Sequence, residues 1–399
     1  MLLDGFGADV RNGDVAHRGR RAVAAGAGGA RRAARSGASL AIDNLRAIVI
    51  LLVLSFHSVL AYLSFLPAAP FRFDRPPYEW TAFPIIDPHR WIGFDLFCAW
   101  QNIFLMTLFF FLSGMFVWPS LKRRRAGGFL SGRALRLGVP FAIVAGLLMP
   151  VATYPSYLQS AADPSVAAYW HAFLALPFWP SGPMWFLWLL LVGDIAAAFL
   201  YRLMPRRSEA LVHALSAEGA LSRRLFGLLA VSVLAYIPLA LVFGPMKWSE
   251  FGPFSFQLSR PVFYAIYFFA GIGLGARGVE RPFFAPDGPL ARRWPAWLAA
   301  ALVSFALWIA LSAWVMGEKG RAPLILQTAD DLSFALATFA NCFFVLAATL
   351  RWGRRFSRLL DSLKDNAYGM YIIHYIFVVW LQYALLPAAL PGIAKSFFL

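Results

Sequence analysis

Nine apolar segments, each close to the length of a membrane-crossing helix, constrain the fold of this chain more than any other feature. A helix rises about 1.5 Å per residue, so about 20 apolar residues cross a hydrocarbon layer that is ~30 Å thick. Because 60% of the residues are hydrophobic and only 14% are charged, the sequence predicts an all-α, polytopic integral membrane bundle of nine to ten transmembrane helices. The segments lie near residues 45–66, 97–118, 135–153, 183–203, 225–244, 260–276, 295–316, 331–350 and 367–390.

Two further stretches complete the predicted organisation. The apolar stretch 165–180 is short and contains Pro177 and Pro180, which favours a re-entrant or surface helix, while a tenth span stays open. Residues 1–40 hold seven Arg among Gly, Ala and Ser and lack the apolar centre of a signal peptide. We therefore predict that residues 1–40 form a disordered basic tail and that residues 41–399 form one membrane domain.

The basic residues lie mostly on one side of the predicted bundle. If the N-terminus is cytoplasmic, 27 of the 36 Lys and Arg lie in the tail and in the loops on the same side, and eight lie opposite. Lys and Arg are enriched in cytoplasmic loops. The asymmetry therefore predicts a cytoplasmic N-terminus and an extracytoplasmic 150–183. The net charge of +16 indicates topology and contact with anionic membrane lipids, and not a nucleic-acid partner.

Ionisable side chains within the spans are the first candidates for chemistry, because burying them in a membrane is costly. Arg46 and His57 are eleven residues apart in the first span, which places them on one helix face, ~16 Å apart. Arg46 can clamp a phosphate and His57 can act as a base. In the alternative interpretation Arg46 is a topological anchor paired with Asp43, and His57 is a packing residue. Asp194 is predicted to pair across helices with His, Arg or a backbone amide.

Basic and aromatic loops are candidates for substrate contact. The stretch 122–125 is wholly basic, and Arg133 and Arg136 follow at the start of the third span. Arg133 and Arg136 are three residues apart, which predicts one shared helix face for the phosphates of a cytoplasmic acyl thioester. For 122–125, a purely topological role is equally consistent. The loop 67–95 mixes carboxylates with aromatic rings, which is typical both of sugar-binding clefts and of an interfacial aromatic belt.

Five motifs, in order, resemble those of the acyltransferase 3 family of integral-membrane O-acyltransferases. The resemblance covers residues 43–380, with Ala367 at a position where the family usually has Ser. The motifs are Arg46 followed after ten residues by His57, Phe109-Phe110-Phe111-Leu112-Ser113-Gly114, Arg133-Ala134-Leu135-Arg136-Leu137-Gly138-Val139-Pro140, Gly182-Pro183-Met184-Trp185-Phe186-Leu187, and Asn366-Ala367-Tyr368-Gly369-Met370-Tyr371-Ile372-Ile373-His374.

The resemblance implies roles for individual residues. His57 and Arg46 would be catalytic. Arg133 and Arg136 would bind the donor. Tyr371 and His374 also fit an aromatic packing face, and this is the more conservative interpretation. Supporting roles are implied for Asp43, Ser113, Trp185, Tyr371 and His374.

The resemblance also implies substrates. It suggests acyl-CoA as co-substrate, a glycan acceptor, no metal and no permanently bound cofactor. The sequence is most similar to the glucan-modifying, OpgC-like branch, which allows an acetyl or a succinyl group. The resulting prediction is an acyltransferase of the bacterial inner membrane that modifies an extracytoplasmic or membrane-linked glycan. The alternative is a transporter or exporter of a glycan or lipid-linked intermediate, and the lack of visible repeats in the sequence counts against it.

Overall fold

A computed structural model describes residues 37–216, 221–355 and 358–399. Residues 1–36 of the predicted tail lie outside this range, and 37–40 form the first turn of α1. The helices are α1 (Gly37–Val59), α2 (Ile92–Gly114), α3 (Val117–Arg133), α4 (Val139–Ile143), α5 (Met149–Ser160), α6 (Val166–Leu174), α7 (Trp185–Leu203), α8 (Pro205–Ser216), α9 (Leu221–Phe243), α10 (Pro261–Gly275), α11 (Pro289–Arg292), α12 (Trp294–Gly317), α13 (Leu324–Trp352), α14 (Arg358–Ala384) and α15 (Gly392–Ser396).

The predicted all-α polytopic membrane bundle is confirmed. Within the described ranges, seven helical segments are long and apolar enough to cross a membrane. Two predicted spans fall outside this group. α10 is apolar but has only 15 residues, and α14 has His, Gln and several Tyr that lower its hydropathy. The seven segments are Gly37–Tyr62, Ile92–Gly114, Val117–Ser160, Gly182–Leu203, Ser222–Phe243, Trp294–Gly317 and Leu324–Trp352.

The segment Val117–Ser160 is interrupted, and the interruptions have identifiable causes. Arg125 has φ 58° and ψ 168°, which breaks α3 after its first turns. Two π-helical turns, Ala134–Gly138 and Val144–Leu148, precede α4 and α5. Pro140 and Pro150 lie in the first turns of α4 and α5, and a proline has no N–H and displaces the carbonyl four residues earlier.

Two prolines of this segment explain how α14 attaches to it. Pro140 leaves the carbonyl of Arg136 without its helical partner, and the hydroxyl of Tyr368 donates a hydrogen bond to that oxygen. Pro155 does the same to Val151, whose carbonyl accepts a 2.9 Å hydrogen bond from Nε1 of Trp380. Orphaned backbone carbonyls are costly in a membrane. The donors on α14 therefore fasten it to α3–α5 at two levels.

Glycines allow α2 and α10 to touch backbone to backbone. A Cβ added to Gly114 would lie 2.1 Å from the carbonyl oxygen of Phe268, and one added to Gly271 would lie 2.1 Å from that of Phe111. Small residues permit such close packing of membrane helices. The second motif, residues 109–114, thus has a packing role at Gly114. Ser113 is half-buried, and its hydroxyl makes no hydrogen bond within the described ranges.

A 3-10 turn, Leu60–Tyr62, continues α1. We call the end of the bundle where this turn stops the Tyr62 end, and the opposite end, where α1 begins, the Gly37 end. Loop and terminal residues close the Tyr62 end. Nζ of Lys395 in α15 lies 2.7 Å from Oδ2 of Asp87, and both side chains are fully buried. The carboxylate of Asp95 accepts the backbone N–H of Ser64 at 2.9 Å. Two carboxylates of the loop 67–95 therefore hold the fold together.

The aromatic residues of the same loop belong to a packing cluster. Trp80 is buried and stacks on Phe73 with ring centroids 4.3 Å apart. The cluster joins the loop to α5 and to the short helix α6, which has nine residues and agrees with the prediction that 165–180 does not span the membrane. Its buried members are Phe73, Trp80, Tyr157, Tyr169, Phe173 and Phe178.

A β-hairpin connects α9 to α10 and is the one exception to the all-helical prediction in the described part of the chain. Strands β1 (Trp248–Phe251) and β2 (Phe254–Gln257) are antiparallel, and Gly252 in the turn has φ +55°. Trp248 pairs with Gln257 in the register. The hairpin lies at the Tyr62 end, since it connects the end of α9 to the start of α10.

Candidate active site

Two histidines from opposite ends of the sequence meet inside the bundle. His57 is near the end of α1, and His374 is buried in α14. Nε2 of His374 lies 3.3 Å from Nδ1 of His57, and the ring centroids are 5.0 Å apart. Tyr375 completes the contact, with its ring edge-on to His57 at 5.6 Å. The first and last of the five motifs therefore form one site.

The backbone partners of the two rings determine where their hydrogens lie. Nδ1 of His57 is 2.9 Å from the carbonyl oxygen of Val53, and Nδ1 of His374 is 2.7 Å from that of Tyr371. A carbonyl oxygen only accepts, so we assign the hydrogen to Nδ1 in both neutral rings. The single Nδ1 hydrogen of His57 is then shared between the carbonyl oxygen of Val53 and Nε2 of His374, and Nε2 of His57 keeps its lone pair. This half-buried His57 has the form that a general base requires.

A tight turn before α7 packs against the tyrosines that flank the histidine pair. The hydroxyl of Tyr371 donates a 2.5 Å hydrogen bond to the carbonyl of Pro183. Gly182 has φ +50°, and a Cβ there would lie 3.3 Å from the ring of Tyr375 and 2.8 Å from Cε of Met149. Only glycine fits this conformation and this space without strain. The fourth motif is thus joined to the fifth.

Gln382 is a site residue that the sequence analysis missed. Its Nε2 donates to the carbonyl oxygens of His57 and Ser58 at 2.9 and 3.0 Å. These carbonyls belong to the last turn of α1, where the regular α-helical hydrogen bonding ends. Gln382 lies eight residues after His374 on the same helix, so α14 holds both the ring and the backbone of His57.

An aromatic series connects the histidine pair to Tyr264 and Trp185. Phe186 contacts Tyr371 with ring centroids 6.4 Å apart and contacts Phe110 at 5.0 Å. Phe110 stacks on Tyr264 at 4.9 Å, and Trp185 stacks on the same ring at 6.0 Å. Trp185, a predicted supporting residue, therefore lies beside the site without touching either histidine in the described contacts.

Arg46 lies toward the Gly37 end of the same helix face as His57, ~16 Å away along the axis by helix geometry. Its side chain is exposed, and its guanidinium carbon is 5.5 Å from the ring centroid of Phe116. It makes no ion pair with any described residue, so the alternative pairing with Asp43 is not formed. An exposed guanidinium at this level is accessible to an anionic ligand.

Arg133 and Arg136 have different surroundings, contrary to the expectation that both point into one volume. Nε of Arg133 lies 3.2 Å from Oδ2 of Asp194 in α7, with Arg133 22% exposed and Asp194 fully buried. Arg136 is exposed. The π-helical turn that begins at Ala134 lies between them and changes their relative angle. The cross-helix partner predicted for Asp194 is therefore Arg133.

A basic pocket opens at the Gly37 end, between the first turns of α3, the end of α8 and the end of α10. Its volume is about 430 Å³. Lys122 lies over the ring of Trp118 at 5.5 Å and 3.6 Å from Glu209, while Nη2 of Arg277 is 2.8 Å from Nδ1 of His213. Two cations against one carboxylate leave the pocket with a net positive charge beside an indole ring, which suits an anionic, ring-containing ligand. Among the described residues, no group of three or more His, Cys, Asp or Glu could hold a metal ion.

The family comparison agrees with this geometry. A family model described as an acyltransferase domain, that of the acyltransferase 3 family, matches residues 39–399, and that range includes all five motifs. No curated protein and no solved structure matches the chain. The chain belongs to the acyltransferase 3 family, and it is a multi-pass membrane acyltransferase that transfers groups other than aminoacyl groups.

Proposed function

We propose that this acyltransferase moves an acetyl or succinyl group from cytoplasmic acyl-CoA to a hydroxyl of an extracytoplasmic or membrane-linked glycan, in a bacterial inner membrane with the N-terminus cytoplasmic. The observation that carries the proposal is the His57–His374 pair, 3.3 Å between Nδ1 and Nε2. It leaves one imidazole nitrogen available as a base within the membrane domain, and O-acyl transfer needs a base for the attacking hydroxyl.

In the proposed reaction, His57 carries one proton from the glycan hydroxyl to the leaving CoA sulfur while the acyl group moves the other way. Nε2 of His57 takes the proton of the glycan hydroxyl while the hydroxyl oxygen bonds to the thioester carbonyl carbon. The carbon–sulfur bond breaks, the CoA sulfur leaves, and the imidazolium returns the proton to that sulfur. Nε2 of His374 accepts the Nδ1 hydrogen bond of His57, which becomes stronger when His57 is positively charged. His374 is therefore a positioning residue that also stabilises the imidazolium.

The Gly37 end supplies the cations for the donor. Arg46 and Arg136 are exposed there, and the pocket that includes Lys122 and Arg277 lies at the same end. Of the two arginines first expected to hold the donor, Arg136 is the better phosphate ligand because Asp194 already engages Arg133. Phosphate groups bind guanidinium and ammonium groups strongly in partly desolvated sites. The acyl end of the donor would then reach His57 along the face that carries Arg46.

Transfer of an isotopic label tests the proposal directly. Purified protein in lipid nanodiscs receives acetyl- or succinyl-CoA labelled in the acyl group, together with a glycan extract from the source membrane, and mass spectrometry follows the glycan. We expect label in an ester linkage that mild alkali removes. A transporter or exporter would instead move glycan across a vesicle membrane without acquiring label. Unlabelled glycan with the wild-type protein, or label transferred as fast by His57→Ala as by the wild type, would overturn the proposal.

A further inference from the structure

Three N–H donors at the Tyr62 end converge on an acceptor too weak for them. The sulfur of Met246 lies 3.6 Å from Nη2 of Arg260, 3.7 Å from Nε2 of Gln257 and 3.9 Å from Nδ2 of Asn102. A thioether sulfur is a poor hydrogen-bond acceptor. A guanidinium and two amides that point at one position indicate a place where an oxygen ligand would bind better than the sulfur does.

Arg260 carries a buried charge that the described residues do not neutralise. It is 3% exposed, its Nη1 donates to the backbone and side-chain oxygens of Asn102, and its Nε is buried without a partner. Its guanidinium lies 4.8 Å from the ring centroid of Phe334. Buried cations are normally paired with an anion. Asp330 and Asp331, about one turn earlier than Phe334 on α13, form no ion pair with Arg260 in the described part of the chain.

Met246 is placed where a ligand could displace it. It lies in the connection between α9 and β1, and its side chain is 54% exposed. Methionine has three rotatable side-chain bonds and adapts its position at little cost. The donors, in contrast, are held by α2, β2 and α10, and Gln257 and Arg260 are buried. A fixed set of donors behind an exposed side chain that accepts only weak hydrogen bonds is suited to reversible binding.

Aromatic rings link this position to the histidine pair. Trp248 pairs with Gln257 across the hairpin and meets Trp185 edge-to-face at 5.7 Å. Tyr264 is one helical turn beyond Arg260 and stacks on Trp185. From there Phe186 leads to Tyr371. Sugar rings pack their apolar faces on aromatic side chains. The exposed Trp248 and the half-buried Trp185 offer such faces beside the donors, while the buried Tyr264, Phe186 and Tyr371 connect them to the histidine pair by packing.

We propose that Asn102, Gln257 and Arg260 bind a carboxylate of the acceptor, and that the acceptor is an acidic glycan such as one containing uronic acid. One guanidinium balances one negative charge, which favours a carboxylate over a doubly charged phosphate group. The sugar that bears the carboxylate lies against Trp248 and Trp185, and its neighbour extends toward His57. This assignment rests on the proposed function, since it names the class of acceptor for the same reaction.

Binding to a matched pair of glycans, in the absence of acyl-CoA, tests the assignment. The probes are an oligosaccharide with alternating glucuronic acid and its carboxyl-reduced form, titrated by calorimetry into protein in phosphatidylcholine nanodiscs. We expect the wild type to bind the acidic form roughly tenfold more tightly, because hydrogen bonds to charged groups add to affinity. Arg260→Gln should lose the preference, and Arg321→Gln, which changes an exposed arginine at the same end, should keep it.

Met246→Ala keeps the test decisive if Arg260→Gln does not fold. Met246 is exposed, so its truncation leaves the buried donors in place, and the acidic form should bind as tightly as in the wild type or more tightly. The assignment is overturned if neither the wild type nor Met246→Ala prefers the acidic form, or if folded Arg260→Gln keeps the preference.

Two further measurements complete the test. One distinguishes a glycan from a lipid headgroup as the source of the anion, and the other distinguishes failure of this assignment from failure of the proposed function. Glycerol phosphate represents an anionic lipid headgroup, and Arg260-dependent binding of it with none of the acidic glycan would overturn the acceptor assignment. Label transfer to glycans without any preference for the acidic form would overturn this assignment alone. Tight binding of the acidic glycan with no label transferred to any glycan would overturn the proposed function and leave the carboxylate site supported.

Discussion

Nε2 of His374 lies 3.3 Å from Nδ1 of His57, although the two residues are 317 positions apart in the sequence. Because Nδ1 of His374 is directed at the carbonyl of Tyr371, its Nε2 can only accept from His57 when both rings are neutral. The second imidazole therefore has the position that a carboxylate has in many catalytic triads, with no full charge to bury in the membrane. Such a pairing orients His57 at a lower desolvation cost than an aspartate would.

His57 is expected to be indispensable. His57→Ala should lower the rate of acyl transfer by about 10²–10⁴-fold, because alanine cannot accept the hydroxyl proton. The rate is measured as labelled ester formed per protein in nanodiscs. Ser55→Ala is the matched control, since Ser55 is exposed on the same helix and bonds only to the carbonyl of Leu51. Ester formation at the wild-type rate by inserted His57→Ala would contradict the role.

The two histidines should act as a unit. If His374 works through His57, His374→Ala should lower kcat by about tenfold to a hundredfold and change the apparent KM for donor much less. The double variant should be no slower than His57→Ala alone, because the partner's effect disappears when the base is absent. A complete double-mutant cycle measures this coupling. Independent, additive losses in the cycle would show that His374 contributes by another route.

Removing Arg133 should destabilise the protein more than removing Asp194, its partner in the ion pair. Arg133→Gln leaves a fully buried carboxylate without a cation, a change that typically costs about 3–5 kcal/mol. Asp194→Asn leaves Arg133, which is 22% exposed and can reach the polar boundary, so the loss should be smaller. The melting temperature in detergent should therefore fall further for Arg133→Gln. The reverse order would mean that Asp194 is stabilised by something other than this pair.

Hydropathy predicted the positions of the seven membrane-crossing segments, and of two further helices that are shorter or less apolar, because the length and apolar character of a span are local properties. The contacts at the centre of the site were harder to predict from the sequence. His57 and Arg46 could be singled out as polar residues in an apolar helix, but nothing local indicates that Gln382 reaches the carbonyl of His57. Gln382 lies on α14, hundreds of residues from α1 in the sequence, and only tertiary packing brings the two together.

The differences at Arg133 and Arg136 also have a physical cause. The prediction of a shared face assumed a regular α-helix, whereas a π-helical turn occupies Ala134–Gly138. Pro140 could have signalled this, because a proline inside a helix frees the carbonyl four residues earlier. The β-hairpin was missed for another reason. Trp248–Gln257 is short and aromatic, and short apolar stretches do not distinguish strand from helix.

The contact between α2 and α10 should tolerate no side chain at its closest points. Gly271→Ala places a Cβ 2.1 Å from the carbonyl oxygen of Phe111, so the helices must separate and lose packing along their length. We expect a lower melting temperature and less folded protein. Gly227→Ala is the control, since a Cβ there meets nothing within 4 Å in the membrane helix α9. Equal melting temperatures for the two variants would contradict this contact.

The orientation of the bundle decides whether the donor and acceptor assignments can both stand. The native cysteines, Cys98 and Cys342, are buried, so a cysteine introduced at an exposed position can be labelled over a low background. Gly127 is exposed at the Gly37 end, and a Cβ there meets nothing within 4 Å, while Ala162 is exposed in the connection after α5 at the Tyr62 end.

With the N-terminus cytoplasmic, as the basic loops predict, a membrane-impermeant maleimide should label Ala162→Cys in intact spheroplasts and should label Gly127→Cys only after lysis. Each variant is the control for the other, and ester formation in both confirms that the substitutions are harmless. The reverse labelling pattern would put the basic pocket and Arg46 on the extracytoplasmic side. Cytoplasmic acyl-CoA would then be unable to reach them, and the carboxylate site at Arg260 would face the cytoplasm.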